Sequence, residues 1–162
     1  MKLIKLPTRL KTIAEYIDYN SSVLDVGTNH GKLAVYLAQI NPERDIIATD
    51  ISANSLKAAL ITAKKYNVTE NIDFFVTPGL DDIDLTNINV IVIAGLGGET
   101  IAQIISETVW QKNTKIELIL QPQSKTDKLC KLLYDKNYHI SKIKTIIDNK
   151  REYTIIKCSV GG

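Results

Sequence analysis

Val23-Leu24-Asp25-Val26-Gly27-Thr28-Asn29-His30-Gly31 is the stretch on which the fold turns. A buried strand runs into a glycine, and glycine there lets the backbone bend sharply and come close to a ligand. The amphipathic run behind it directs free N–H groups and a positive helix end at the same point. Outward from this loop, apolar and amphipathic runs alternate. Strands are expected at 22–26, 45–49, 72–76, 88–94 and 116–120, with helices at 30–40, 52–66, 99–109 and 124–135. Ser124 is the expected N-cap of the last helix, with Asp127 as its capping-box partner. Asp148-Asn149-Lys150-Arg151 is a hairpin signal between strands at 138–147 and 152–160. Near-continuous apolar strands alternating with helices predict a parallel sheet covered on both faces. Before the first strand, Pro7–Ile17 is expected to form a helix that covers the mouth of any site.

Composition narrows the class. The chain has 162 residues, net charge +2, 44% hydrophobic and 23% charged residues, within the range of one soluble domain spanning 1–162. No apolar run approaches the ~20 residues that span a bilayer. The N-terminus mixes charge into its apolar stretch and lacks a signal-peptide core, so a cytoplasmic location is the default expectation. Cys130 and Cys158 have no metal-ligand spacing and read as two small buried hydrophobes. Charge is unevenly spread. Residues 1–11 hold Lys2, Lys5, Arg9 and Lys11 with no acid, and residues 112–151 hold ten basic against four acidic side chains. If these two ends meet in the fold they form one positive face suited to a polyanion.

Four further stretches carry chemistry. A dinucleotide fingerprint, G-x-G-x-x-G, needs glycines where Asn29 and Lys32 stand. Asp25, Gly27 and Gly31 instead meet the methyltransferase spacing, an acid two residues before G-x-G-x-G, with Asn29 in the central place. Asn is the residue next most tolerant of a left-handed backbone. Asp25 holds either the loop amides or a ligand's ammonium group. Asp50, about 20 residues beyond the loop at the end of strand two, is placed to accept ribose hydroxyls, or else caps the next helix. Gly79, in Thr77-Pro78-Gly79-Leu80-Asp81-Asp82, allows close approach of an adenine ring, while the two aspartates read its edge or start a short helix. Ala94-Gly95-Leu96-Gly97-Gly98 leaves open backbone facing the cleft at the topological switch point. Gln121 and Gln123 offer paired donors and acceptors for a base edge, or face water. Five strand–helix units and a hairpin give the element order of class I methyltransferases: an α/β, Rossmann-like fold with a mostly parallel seven-stranded sheet and a C-terminal antiparallel hairpin.

Together these stretches resemble the TrmK family, bacterial tRNA methyltransferases that modify N1 of adenine 22. The resemblance runs from Thr8-Arg9-Leu10 to Tyr153-Thr154-Ile155-Ile156. It is most specific at Ala94–Gly98, close to the family's A-G-M-G-G, and at Leu118–Pro122; Asp25–His30 resembles its D-I-G-S-D-H. It implies S-adenosyl-L-methionine as cofactor, held by Asp25, Gly27, Asn29, His30, Gly31, Asp50, Ile51, Gly79, Leu80 and Ala94. His30 either lines the methionine pocket or packs at the helix start. Methyl transfer is assigned to Gly95, Gly97, Gly98, Gln121 and Pro122, through backbone carbonyls and the Gln121 amide oxygen. Phosphates of tRNA are assigned to Arg9, Lys11, Lys125, Lys128 and Lys131, with pairing to the methionine carboxylate as the alternative job for Arg9. The expected partner is tRNA, with no membrane, no metal and a monomeric state. Three positions depart from the family: Asn29 replaces an aspartate, Pro78 an aspartate of G-D-G-L, and Gln123 an asparagine of Q-P-N. The helical, coiled-coil-like region that follows the core in family members is not in this sequence. Alternative readings keep the cofactor but change the acceptor to a small molecule, or make the chain a non-catalytic RNA-interacting module.

Overall fold

The computed structural model describes residues 2–111 and 114–160. Its elements are α1 (Thr8–Glu15), β1 (Val23–Val26), α2 (Lys32–Ile40), β2 (Ile46–Asp50), α3 (Ala53–Lys65) and β3 (Ile72–Val76). They continue with β4 (Val90–Leu96), α4 (Gly98–Glu107), β5 (Glu117–Pro122), α5 (Thr126–Asp135), β6 (His139–Asp148) and β7 (Arg151–Ser159). The seven strands form one sheet in the order β3-β2-β1-β4-β5-β7-β6. β1 pairs in parallel with β2 on one side and β4 on the other, so the direction of winding reverses between β1 and β4. β7 runs antiparallel to both β5 and β6. This is the Rossmann-like methyltransferase architecture that the alternation of elements predicts.

Side-chain alternation along β1 divides the core in two. Val23 joins the cluster containing Ile13, Leu33, Leu37 and Ala63, which α1, α2 and α3 cover. Leu24 and Val26 join the cluster containing Ile101, Ile105, Leu129 and Leu133, which α4 and α5 cover. Asp25 therefore points, like Val23, to the α1–α2 side. The hairpin turns on Asn149 and Lys150, both with positive φ (52° and 66°), the backbone that matches strand twist in a two-residue turn. No helix among the described residues is long and apolar enough to cross a membrane.

Several sequence-based expectations change. Ser124 does not cap α5; the N-cap is Lys125 at φ 55°, with no side-chain bond, and the Ser124 carbonyl accepts the Gly98 N–H at 2.6 Å. β4 and β5 run two residues beyond their expected ends, because Gly95 (φ 79°) forms a bulge between Ala94 and Leu96 and pairing resumes with Pro122. Asp81 and Asp82 start no helix; the Thr77 hydroxyl donates to Asp82 Oδ2 at 3.1 Å. Cys158 is buried as expected but Cys130 only partly so, and burial holds the Cys158 thiol up at about 12.

Gly31 shows why a glycine motif is not always a ligand motif. It caps α2 at φ 72°, and a Cβ there would lie 2.9 Å from the Ala59 Cβ of α3. Gly31→Ala is therefore expected to cost roughly 2–4 kcal/mol, from left-handed strain plus overpacking. Adding Ala59→Gly should recover only the packing share. Urea unfolding of the single and double variants measures both shares.

Candidate functional site

A cavity of about 830 Å3 opens at the C-terminal ends of the parallel strands, where β1 and β4 diverge. Its floor is the β1–α2 loop. The tip of β2 holds that loop: Thr49 O accepts both the Gly27 N–H (2.9 Å) and the Thr28 N–H (2.8 Å). Asp50 adds two bonds, Oδ2 accepting from Asn29 N and Oδ1 from Ser52 N, each at 3.0 Å. Asn29 takes up the left-handed backbone at φ 52° that its place in the motif requires. Asp50 does not cap α3: Ser52 is the N-cap, its hydroxyl accepting the Ser55 N–H at 3.2 Å, and Asp50 holds the backbone ahead of it. Asp50 is buried, and each oxygen takes one backbone N–H while the residue still lines the cavity.

Asp25 does not hold the loop amides. Its Oδ2 accepts the Thr28 hydroxyl at 2.9 Å, its one hydrogen-bond partner among the described residues. Burial pushes its carboxyl up to about 7; Asp50 pushes the same way, against the Thr28 hydrogen bond and Arg9. A buried acid at this position favours a cation beside it.

The upper wall comes from α1. Pro7, Arg9 and Leu10 line the cavity, so the first helix does cover the mouth. Arg9 Nη1 donates to Gln121 Oε1 at 3.0 Å, and Gln121 Nε2 donates to Gln123 Oε1 at 3.1 Å. Gln121 is fully buried and does not face water; its oxygen is turned to Arg9 and not to the cavity. Gln123, at the end of this chain of bonds, lines the cavity instead.

Of the residues singled out from sequence, Arg9, Asp25, Gly27, Asn29, His30, Asp50, Ile51, Gly79, Leu80, Ala94 and Gly95 come together on the cavity wall. Gly31, Gly97, Gly98, Gln121, Pro122, Lys11, Lys125, Lys128 and Lys131 do not. Gly98 is no open backbone: an added Cβ would run into the Ser124 and Lys125 carbonyl oxygens, so glycine seats α4 against the β5–α5 loop. A Cβ on Gly97 would sit 3.2 Å from Ser124 Oγ. Lys128 and Lys131 are exposed and spend their charge on Glu99 (2.7 Å) and Asp135 (2.9 Å). His30 is exposed at the loop, and α2 starts two residues later, so it lines the mouth and does not pack under the helix. Sequence reasoning missed the α4 wall, Thr100, Gln103, Ile104 and Glu107. Their i, i+3, i+4, i+7 spacing marks one helix face, but nothing in it separates a cavity face from a core face. Among the described residues, no group of three His, Cys, Asp or Glu side chains converges as a metal site would require.

Residues 6–156 match the family model described as Methyltransferase domain. A Mycoplasma genitalium relative is 34% identical over 152 residues, covering 91% of this chain and 67% of its own length. The crystal structure of the Bacillus subtilis m1A22 tRNA methyltransferase TrmK superposes with a TM-score of 0.89 at 27% identity, over 97% of this chain and 67% of that one. M. capricolum TrmK in complex with S-adenosyl-homocysteine superposes with a TM-score of 0.83 at 28% identity, over 95% and 68%. The chain spans about two thirds of the length of these relatives.

The raised Asp25 carboxyl has a consequence for stability. Unfolded, Asp25 ionises near 3.8, as an ordinary aspartate does; folded, burial holds it up to about 7. The folded state binds the extra proton between these values, so stability falls as pH rises through that window and is level above it. Asp25→Asn is expected to gain stability over the parent at pH 8, on the order of 4 kcal/mol, with the gap closing toward pH 4. Urea titrations across that range measure the gap.

Proposed function

Because the chain belongs to the TrmK-like family of tRNA (m1A22) methyltransferases, we propose that it methylates N1 of adenine 22 in tRNA with S-adenosyl-L-methionine as methyl donor. The observation that carries this reading is the pairing of two buried carboxylates, Asp25 and Asp50, on one cavity wall at the strand switch point. The residues present fit the donor. Asp50 suits the ribose hydroxyls, since each oxygen bound to one backbone N–H keeps acceptor capacity. Asp25, costly to ionise alone, suits the positively charged methionine end. Gly79, Leu80 and Ile104 lie together on one apolar stretch of the cavity wall, suited to the face of the adenine ring. When bound, the donor supplies an electrophilic methyl group on a positively charged sulfur.

Adenine N1 carries a lone pair at neutral pH, so the chain's task is orientation and not base catalysis. The bonds Arg9–Gln121–Gln123 fix the Gln123 amide at the cavity, where it can read the edge of an extruded base. Each donor in that chain polarises the next. Arg9 also lowers the burden on Asp25, tying the acceptor side of the cavity to the cofactor side.

Purified protein is expected to bind S-adenosylmethionine, and Asp50→Ala to weaken binding by roughly 1–3 kcal/mol through lost charge-assisted hydrogen bonds. Isothermal titration measures this, with urea unfolding to show that the variant is folded. Incubation with tritiated donor and unmodified tRNA should yield labelled 1-methyladenosine on nucleoside analysis. Undiminished affinity in Asp50→Ala removes the ribose assignment, and absence of labelled 1-methyladenosine removes the acceptor.

A further inference from the structure

Phosphate contacts were expected from Arg9, Lys11 and the α5 lysines, but the structure sets α5 on one face of the sheet and α1, with Arg9 and Lys11, on the other. α1 packs against β6, and the Arg9 N–H donates to Asp148 Oδ2 at 3.2 Å, 139 residues away. The Lys157 ammonium donates to the Tyr16 carbonyl at 3.1 Å, and the Lys142 ammonium lies 4.7 Å from the Tyr16 ring centroid. The two basic ends of the sequence therefore do meet.

The register shows what the edge presents. On β6, Lys142 and Lys144 share a face with Asp148, and their β7 partners are Lys157, Ile155 and Arg151. Ile155 belongs to the core cluster that α1 covers, so this face is the α1 side of the sheet. Lys11, Lys142, Lys144, Lys150 and Arg151 are all exposed, and none pairs with a carboxylate among the described residues. Asp148 is the one acid between residues 136 and 151, and its Oδ2 is engaged by Arg9. The α5 lysines Lys128 and Lys131, by contrast, already have partners.

Tyr153 marks where the charge is most concentrated. The guanidinium carbons of Arg9 and Arg151 lie 5.8 and 5.7 Å from the centroid of its ring. Two guanidinium groups gathered about one ring repel each other, and an anion bound beside them would offset that repulsion. Arg9 lines the cavity as well, so the cluster reaches from the exposed Arg151 on the edge to the cavity wall.

We propose that the α1–β6–β7 edge, from Lys142 and Lys144 through Lys150 and Arg151 to the Arg9–Tyr153–Arg151 cluster, holds the RNA phosphate backbone beside the base that enters the cavity. The proposal rests on the tRNA reading above. Arg151 and Arg9 clamp a phosphate next to the extruded nucleotide, and the lysines follow the strand away from it.

The test is filter binding of unmodified tRNA over a series of salt concentrations, for the parent, the Lys144→Glu/Arg151→Glu variant and a Lys128→Glu/Lys131→Glu variant. The edge variant is expected to lose about tenfold or more in tRNA affinity, and its log–log salt slope should flatten by about 2, one phosphate per lost cation. S-adenosylmethionine affinity by titration should match the parent, which shows the fold intact. The α5 variant should lose less. Edge and parent proteins with equal tRNA affinity and salt slope overturn the surface and leave the acceptor assignment standing, as does a larger loss in the α5 variant. A parent that binds no tRNA overturns the assignment beneath it, and this proposal with it.

Discussion

The carboxylate of Asp50 is the fixed point of this molecule. It sits at the tip of β2 yet holds Asn29 N, in the loop after β1, and Ser52 N, at the start of α3. Thr49 O, one residue back, takes Gly27 N and Thr28 N. Four backbone donors from two loops are thereby satisfied by two adjacent residues, in a place where unpaired N–H groups would be costly. The left-handed turn at Asn29 and the path of the chain into α2 follow from that anchorage. Asp25, by strand alternation, points from the same strand end toward Arg9 and α1.

The strands, their order of appearance and the closing hairpin were legible because each signal is local. Val90–Ile93 is apolar throughout, and Asn149-Lys150 adopts the turn that its sequence announces. Asp25, Gly27, Asn29 and Asp50 were legible for a related reason: a parallel register carries the ends of β1 and β2 to one edge, so two distant motifs must converge. Less legible was anything decided by packing between elements. Gly31 and Gly98 look like ligand glycines in sequence, but Ala59 and the Ser124–Lys125 carbonyls explain them. Ser124 has the chemistry of a cap, and the tertiary bond from Gly98 N takes its carbonyl for another purpose. Gln121 looked like a loop amide because the bulge at Gly95, which lengthens β4 and β5, leaves no trace in residue spacing.

Arg9 links the two halves of the site. Its guanidinium bonds Gln121, stands over Tyr153, and is close enough to Asp25 to favour the ionised carboxylate. A single long side chain from the first helix thus bonds a buried amide, stands by an aromatic ring at the hairpin and acts through its charge on the acid under the loop. Lysine would carry the charge but not the planar fork that serves several partners together.

This wiring also bears on how the chain is completed during synthesis. α1 is made well before the groups that seat it: Asp148 and Lys157 lie 139 and 141 residues downstream of their α1 partners, Arg9 and Tyr16. The central strands find partners among neighbours already at hand, whereas α1 must wait for a contact of very high sequence separation, whose loop closure is paid late. A nascent chain lacking β6 and β7 has its β1–α2 loop and Asp50 but no ceiling over them. The chamber is closed only when the hairpin has left the ribosome.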